Sequence, residues 1–334
     1  MFSASTKSGY KIEFPIFYKE YETISYEGNG YSFVVYKVRK KGSNAIFRSK
    51  IFSKADMIKR NCIDCLNKEI TIHQMLNHPN IVKIYDAFEM INSKKEALIF
   101  TIEEYCSNRD LLSYINKNGL KSKYNRKNIE KGIFQGLGYL HGIGLAHCDI
   151  NCANILIDKN LNAKLCNFCR CEFGQNENSI WFKNDIMSLG SVLYMLSEGK
   201  QLGKQIYIND SLHIRIEDGK LKNLIEKCTR QNPENRPSIE NLLEDEYFTT
   251  DEKEEKEESS DEHLEEEEKD ILPNSIFSKY YFDYSICYGC KNDIKQSKLC
   301  KKSRKKPKKR NNLEKQVTKS KSKSQYFSEK QVEE

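Results

Sequence analysis

Residues able to do chemistry gather in a few places along this 334-residue chain. A two-glycine turn, Gly28-Asn29-Gly30, interrupts a strand-like stretch, and glycines there let a backbone close over phosphates without Cβ clashes. The run His147-Cys148-Asp149-Ile150-Asn151-Cys152-Ala153-Asn154-Ile155-Leu156 sets one carboxylate among carboxamides, and a further amide, Asn167, follows it. Among the 12 cysteines, Cys148, Cys152, Cys166, Cys169 and Cys171 crowd the same stretch. Thiolates beside lysines are activated for redox or metal chemistry, whereas thiols released from such a role act as small apolar filler. Cys62 with Cys65 and Cys287 with Cys290 have metal-ligand spacing. Cys300 follows the second pair with no fourth Cys or His close behind, so a four-ligand zinc site is not expected there.

The elements that must position these groups follow from periodicity. Glu20 to Arg39 reads as two strands joined by the glycine turn, and Ala45 to Ser53 as a third. Cys62 to Leu76 has helical spacing and stops before His78 and Pro79. Ile81 to Phe88 and Ala97 to Tyr105 complete a small sheet. Beyond Ser107 the pattern turns helical, with Ile129, Ile133, Leu137 and Leu140 on one buried face. Two short strands flank a loop within Leu145 to Cys166, and helices follow from Asp185. The expected fold class is α+β: a small β-rich lobe and a larger helical lobe, ordered from about residue 9 to 248.

In this order and at these distances the motifs resemble the eukaryotic protein kinase family, Ser/Thr type. Gly28 to Val35 is similar to its glycine-rich loop, with Phe33 where the third glycine usually stands. The resemblance implies that Gly28, Gly30 and Val35 contact nucleotide, that Lys50 holds the α- and β-phosphates, and that Glu69 pairs with Lys50. Glu104-Tyr105-Cys106 resembles the hinge whose backbone binds adenine. The catalytic loop would offer Asp149 as base and Asn154 as a metal ligand, and Asn151 stands where the family has a phosphoryl-steadying lysine. Implied cofactors are ATP and Mg²⁺.

Departures from the pattern are concentrated. Asn167-Phe168-Cys169 replaces Asp-Phe-Gly, and the Asn167 amide is a weak ligand because Mg²⁺ relies on anionic oxygens. Cys148 replaces an arginine. Glu103, at the gatekeeper position, is a carboxylate that needs a partner or a raised pKa if desolvated, and it counts against ordinary ATP affinity. Only Phe168 to Asn184 separates the altered turn from Asp185, with no Ala-Pro-Glu element. Arg236, which would pair with the missing glutamate, is expected to face another acid or solvent.

These features imply a degraded kinase, a pseudokinase acting as a binding or regulatory module that retains nucleotide more readily than phosphotransfer. The alternative is an atypical active Ser/Thr kinase. The expected organisation is an N-terminal extension (1–20) and a kinase-like domain (21–250) with its small lobe to about 103, hinge 104–108 and large lobe 109–250. An acidic linker (251–270) and a Cys-containing basic tail (271–334) follow. Blocks of like charge cannot bury enough apolar surface to fold, so both are expected to be disordered. The net charge of +7 conceals this sign reversal. The basic block is compatible with nuclear import, with nucleic acid or anionic membrane as partner, or with folding back on the acidic run. Protein partners are expected for the lobes. With 38% hydrophobic residues, a mean hydropathy of −0.72, no long apolar run and no apolar leader, the expected location is cytosol or nucleus.

Overall fold

The computed structural model describes residues 1–118, 123–174, 179–199, 207–208, 210–212 and 214–249. The acidic linker, the basic tail and the tail cysteines lie outside the described residues. Three short strands open the chain: β1 (Phe2–Ser5), β2 (Lys11–Phe14) and β3 (Phe17–Tyr18). Then come β4 (Tyr21–Asn29), β5 (Phe33–Lys40), β6 (Ile46–Ser53), helices α1 (Lys54–Lys59) and α2 (Ile63–Met75), and strands β7 (Ile84–Ile91) and β8 (Ala97–Glu104). A six-stranded antiparallel sheet has the order β3-β4-β5-β6-β8-β7, and β1 pairs with β2 as a separate hairpin.

Residues 1–20 therefore supply part of the small lobe's core. Ile12, Phe14 and Tyr18 are buried with Tyr36, Ile51 and Phe100 in one cluster. Phe14 meets Tyr36 edge-on at 4.8 Å between ring centroids, and Tyr18 lies 4.5 Å from Phe100. Such aromatic pairs add to the burial energy of large rings. Neither β1, β2, β3 nor α1 is legible from a long periodic run, because each is only two to six residues long. Ile81, expected to begin a strand, instead forms an isolated bridge to Leu165, and β7 starts at Ile84.

The larger lobe is helical. It holds α3 (Leu111–Asn118), α4 (Lys123–Gly142), short strands β9 (Leu145–Ala146), β10 (Ile155–Ile157), β11 (Ala163–Leu165) and β12 (Glu172–Phe173), then α5 (Ile180–Glu198), α6 (Gly219–Cys228), α7 (Ile239–Leu243) and α8 (Glu246–Thr249). Ile129, Ile133, Leu137 and Leu140 on α4 are all buried in this lobe's core, as steps of four and three residues along a helix require. Helix α5 begins at Ile180, five residues ahead of the expected Asp185, so the stretch between the altered turn and the helix is shorter still. No helix among the described residues is long and apolar enough to cross a membrane.

Candidate functional site

The strands bring the upper side of the cleft together by their two-residue period. Arg48 and Lys50 lie on one face of β6, and antiparallel pairing sets Arg48 opposite Glu103 and Lys50 opposite Thr101 on β8. Lys50 Nζ is 3.6 Å from Glu69 Oε1 on α2 and 3.1 Å from Glu103 Oε1. Arg48 Nη1 lies 3.2 Å from Glu103 Oε2, and the Thr101 hydroxyl donates to Glu103 Oε1 at 3.1 Å. The lysine and helix glutamate thus meet, but the gatekeeper carboxylate holds the lysine more closely.

Burial opposes the charged form of Glu103, and Lys50 and then Arg48 outweigh it, holding the carboxyl at about 2. Burial likewise opposes the ammonium of Lys50, and the carboxylates of Glu103 and Glu69 outweigh it, raising its pKa. Of the two alternatives expected for Glu103, a partner and not a raised pKa is what forms. The partner Arg48 had no role in the sequence reading, although strand alternation two residues before Lys50 points it at the same cleft.

Above these groups lies the glycine turn. Gly28 has φ +149°, a conformation side chains rarely adopt, while Gly30 has no room for a Cβ because the Phe33 ring presses against it. Phe33 meets Phe52 at a tilt, 5.3 Å between ring centroids, and faces Lys50 Nζ, 5.5 Å from its own centroid. Val35 is buried opposite Lys50 in the register. At the hinge, Cys106 is buried with Val82, Leu156 and Cys166, and the Glu104 carboxylate turns to Lys164 at 2.9 Å.

On the lower side the catalytic-loop residues satisfy one another. Asn154 Nδ2 donates to Asp149 Oδ2 and to its carbonyl, both at 2.9 Å, and Asn151 Nδ2 donates to the Asp149 carbonyl at 2.9 Å. The Asn151 side-chain oxygen caps the next turn by accepting from Ala153 N at 2.9 Å. Arg170 approaches Asp149 Oδ1 at 3.6 Å, yet burial is the larger effect and moves the Asp149 pKa upward. Asn167 Nδ2 donates to Asn154 Oδ1 at 3.1 Å, so the two expected metal ligands bond to each other.

Beneath them the framework is closely tied. Asp185 accepts from His147 N at 2.7 Å, Cys148 N at 2.8 Å and His141 Nε2 at 3.0 Å. Phe168 is fully buried between the rings of His73 on α2 and His147, at 4.9 and 5.4 Å. Lys68 Nζ on α2 donates to the Cys171 carbonyl at 2.8 Å and Glu172 Oε1 at 3.1 Å, pinning the short segment to the helix. Of the two surroundings expected for Arg236, another acid or solvent, solvent is not what it meets. It is buried and donates to the carbonyls of Arg230, Lys183 and Gln231 and to Asn184 Oδ1.

Burial favours the neutral thiol at Cys148, Cys152 and Cys166. Burial pushes Cys148 and Cys152 to about 12 and Cys166 to about 11, the last despite Arg48 and Lys50 nearby. No three His, Cys, Asp or Glu side chains among the described residues come together to hold a metal ion.

Two lobes, a glycine loop, a buried lysine–glutamate contact and a catalytic loop anchored by a helix aspartate define a kinase fold. The protein kinase domain family matches residues 21–198, and the chain belongs to that family. Among its relatives are 3-phosphoinositide-dependent protein kinase B of Dictyostelium discoideum, 31% identical over 69% of this chain and 29% of that protein. The serine/threonine-protein kinase polo of Drosophila melanogaster is 27% identical over 69% of this chain and 44% of its own length. CBL-interacting serine/threonine-protein kinase 8 of Arabidopsis thaliana is 25% identical over 60% of this chain and 51% of its own. The chain thus spans about half or less of the relatives it matches.

Kinases in general work on ATP with Mg²⁺. The side chains here fit that pair poorly. The metal position offers an amide already bonded to its neighbour, and the lysine meant for phosphates is held by two carboxylates.

Proposed function

We propose that this chain is a kinase-fold binding module in which phosphotransfer is absent or strongly impaired. The observation that carries this reading is the Asn167–Asn154 hydrogen bond, which places two neutral amides where divalent-ion chemistry calls for a carboxylate. The shortened segment before α5 supports it, since 168–179 leaves little chain for a peptide-docking platform. In this reading Asp149 orders its loop through Asn151 and Asn154 and does not take a proton from a substrate.

The lobes would present their surface to protein partners in the cytosol or nucleus, with the basic tail adding contacts to nucleic acid or anionic lipid. Removing 291–334 and measuring binding against salt concentration tests the tail; unchanged binding counts against it. For the domain, purified chain is given radiolabelled ATP with Mg²⁺ or Mn²⁺ and generic protein substrates beside Asp149→Ala. No Asp149-dependent incorporation is expected. Incorporation that disappears in that variant would instead support the second reading, an atypical Ser/Thr kinase. That reading is favoured by the spacing of Asp149 and Asn154 and by relatives named as serine/threonine kinases.

A further inference from the structure

Arg48, Glu103 and Phe33 crowd the roof of the cleft beneath the glycine turn. The purine of a kinase ligand lies against the hinge backbone, between the small-lobe strands and the floor strand that carries Leu156. Here the guanidinium of Arg48 extends from β6 to Glu103 at 3.2 Å and lies beside the Cys166 side chain. It thus lies between Glu103 on β8 and the residue just ahead of Asn167. Its side chain is only 18% exposed and that of Glu103 1%, so the pair is largely interior.

A second side chain stands between the glycine turn and Lys50. Phe33 lies directly beneath Gly30 and faces Lys50, where phosphates would pass between loop and lysine. Lys50 itself already has Glu69 and Glu103 as counter-ions. With Arg48 the four side chains sum to zero formal charge, leaving no positive excess for an anionic ligand.

The glycine turn is also held from outside and across its mouth. The β1–β2 turn donates from Lys7 N to the Gly30 carbonyl at 2.9 Å and from Ser8 N to the Tyr31 carbonyl at 3.2 Å. Asn29 Nδ2 donates to the Ser5 carbonyl at 2.7 Å. From the hinge side, Arg109 Nη2 donates to the Glu27 carbonyl at 2.7 Å and passes below Gly28. A loop tied at both ends has little freedom to lift and admit a ligand.

We infer that this chain excludes adenine nucleotides, and that Arg48 paired with Glu103 is the determinant, with Phe33 and the β1–β2 clamp keeping the glycine turn down. The cluster takes over the structural part of a nucleotide's role: it holds β6, β8 and α2 together through Lys50 without a ligand. This rests on the kinase-fold assignment and goes beyond the loss of phosphotransfer, because a chain deficient only at its metal site would still bind ATP.

The test uses the full chain with ATP and ADP, each with and without Mg²⁺, followed by calorimetry and thermal shift. Wild type is expected to show no saturable binding below about 1 mM. The paired variant Arg48→Ala/Glu103→Met, which removes one charge of each sign and leaves Lys50 with Glu69, should bind ATP at least about tenfold more tightly. Arg48→Ala alone keeps the Lys50–Glu103 contact and should regain part of that binding, which guards against a double variant that fails to fold. An acyl-phosphate analogue of ATP, which acylates a lysine beside bound phosphates, should leave wild-type Lys50 unmodified. Saturable wild-type binding near about 100 μM, or acylation of wild-type Lys50 competed by ATP, overturns the inference. Folded variants that still refuse nucleotide overturn its assignment to Arg48 and Glu103. Wild-type binding without phosphate transfer would sink this inference and leave the proposed function standing.

Discussion

Along the roof of the cleft, Arg48, Lys50, Glu69 and Glu103 pack four charged side chains into one neutral cluster. Along the floor, Asn151, Asn154 and Asn167 bond to one another or to Asp149, and amides stand where kinase chemistry concentrates charge. The large lobe keeps its anchor, with Asp185 fully satisfied, while the reacting face above that anchor has changed chemistry. The contrast teaches that framework and reaction are separable in this fold. Groups bonded to buried backbone must stay, because unpaired donors are expensive; groups that face only ligand are free to change.

The largest expected effect comes from breaking the anchor. Asp185→Ala strips the acceptor from two backbone N–H groups and from His141, and should lower unfolding free energy by about 3–5 kcal/mol in urea titration. A loss below about 1 kcal/mol would erase the distinction between framework and reacting face. Next is Glu103→Ala, which leaves Arg48 and Lys50 buried with Glu69 alone and should cost about 3 kcal/mol. Replacing Arg48 and Glu103 together by methionine should cost less than the single change, since burying an ion pair gains little over apolar packing.

Two buried glutamates, Glu103 in the roof of the cleft and Glu130 in the large lobe, respond to pH in opposite directions. Glu103 is held at about 2 against an ordinary 4.5, so its contribution is present above pH 4.5 and is lost as pH falls toward 2. Glu130 on α4, with Tyr247 Oη donating to it at 2.6 Å, is pushed by burial to about 7. Its folded form keeps a proton that the unfolded chain releases, so stability declines as pH rises from 4.5 to 7. Glu130→Gln should remove that decline and stabilise the chain by about 2 kcal/mol at pH 8 while changing little at pH 4. Thermal melts at pH 8 and pH 4 check the Glu130 slope and a third at about pH 2 checks that of Glu103, and a Glu130→Gln gain equal at pH 8 and pH 4 would contradict the assignment.

The smallest effect tests the floor. Asn167→Asp sets a carboxylate against Asn154 Oδ1 in place of a donor and should cost about 1 kcal/mol without metal. Millimolar Mg²⁺ should recover part of it. A melt insensitive to Mg²⁺ would show that one carboxylate does not rebuild an ion site there.

Much of this was readable from the chain. Fixed spacings gave the catalytic loop, Lys50, Glu69 and the altered Asn167, because those residues must converge from separate elements. The importance of Arg48 was also readable in principle, from strand alternation with Lys50, but its partner depends on the β6–β8 register, a non-local property. The carbonyl partners of Arg236 had no signal at all, since backbone acceptors are common to every residue type. The opening strands escaped because two to four residues show no period.

The two-residue strand β3, described above only as part of the core, also decides how the sheet ends. Pairing through Phe17 and Tyr18 with Glu22 and Tyr21, it covers the first residues of the edge that β4 would otherwise present to other chains. So short an edge is a poor template for intermolecular strand addition, which protects the lobe from edge-to-edge aggregation. A chain begun at residue 21, where the family match starts, would bare that edge and the aromatic surface behind it.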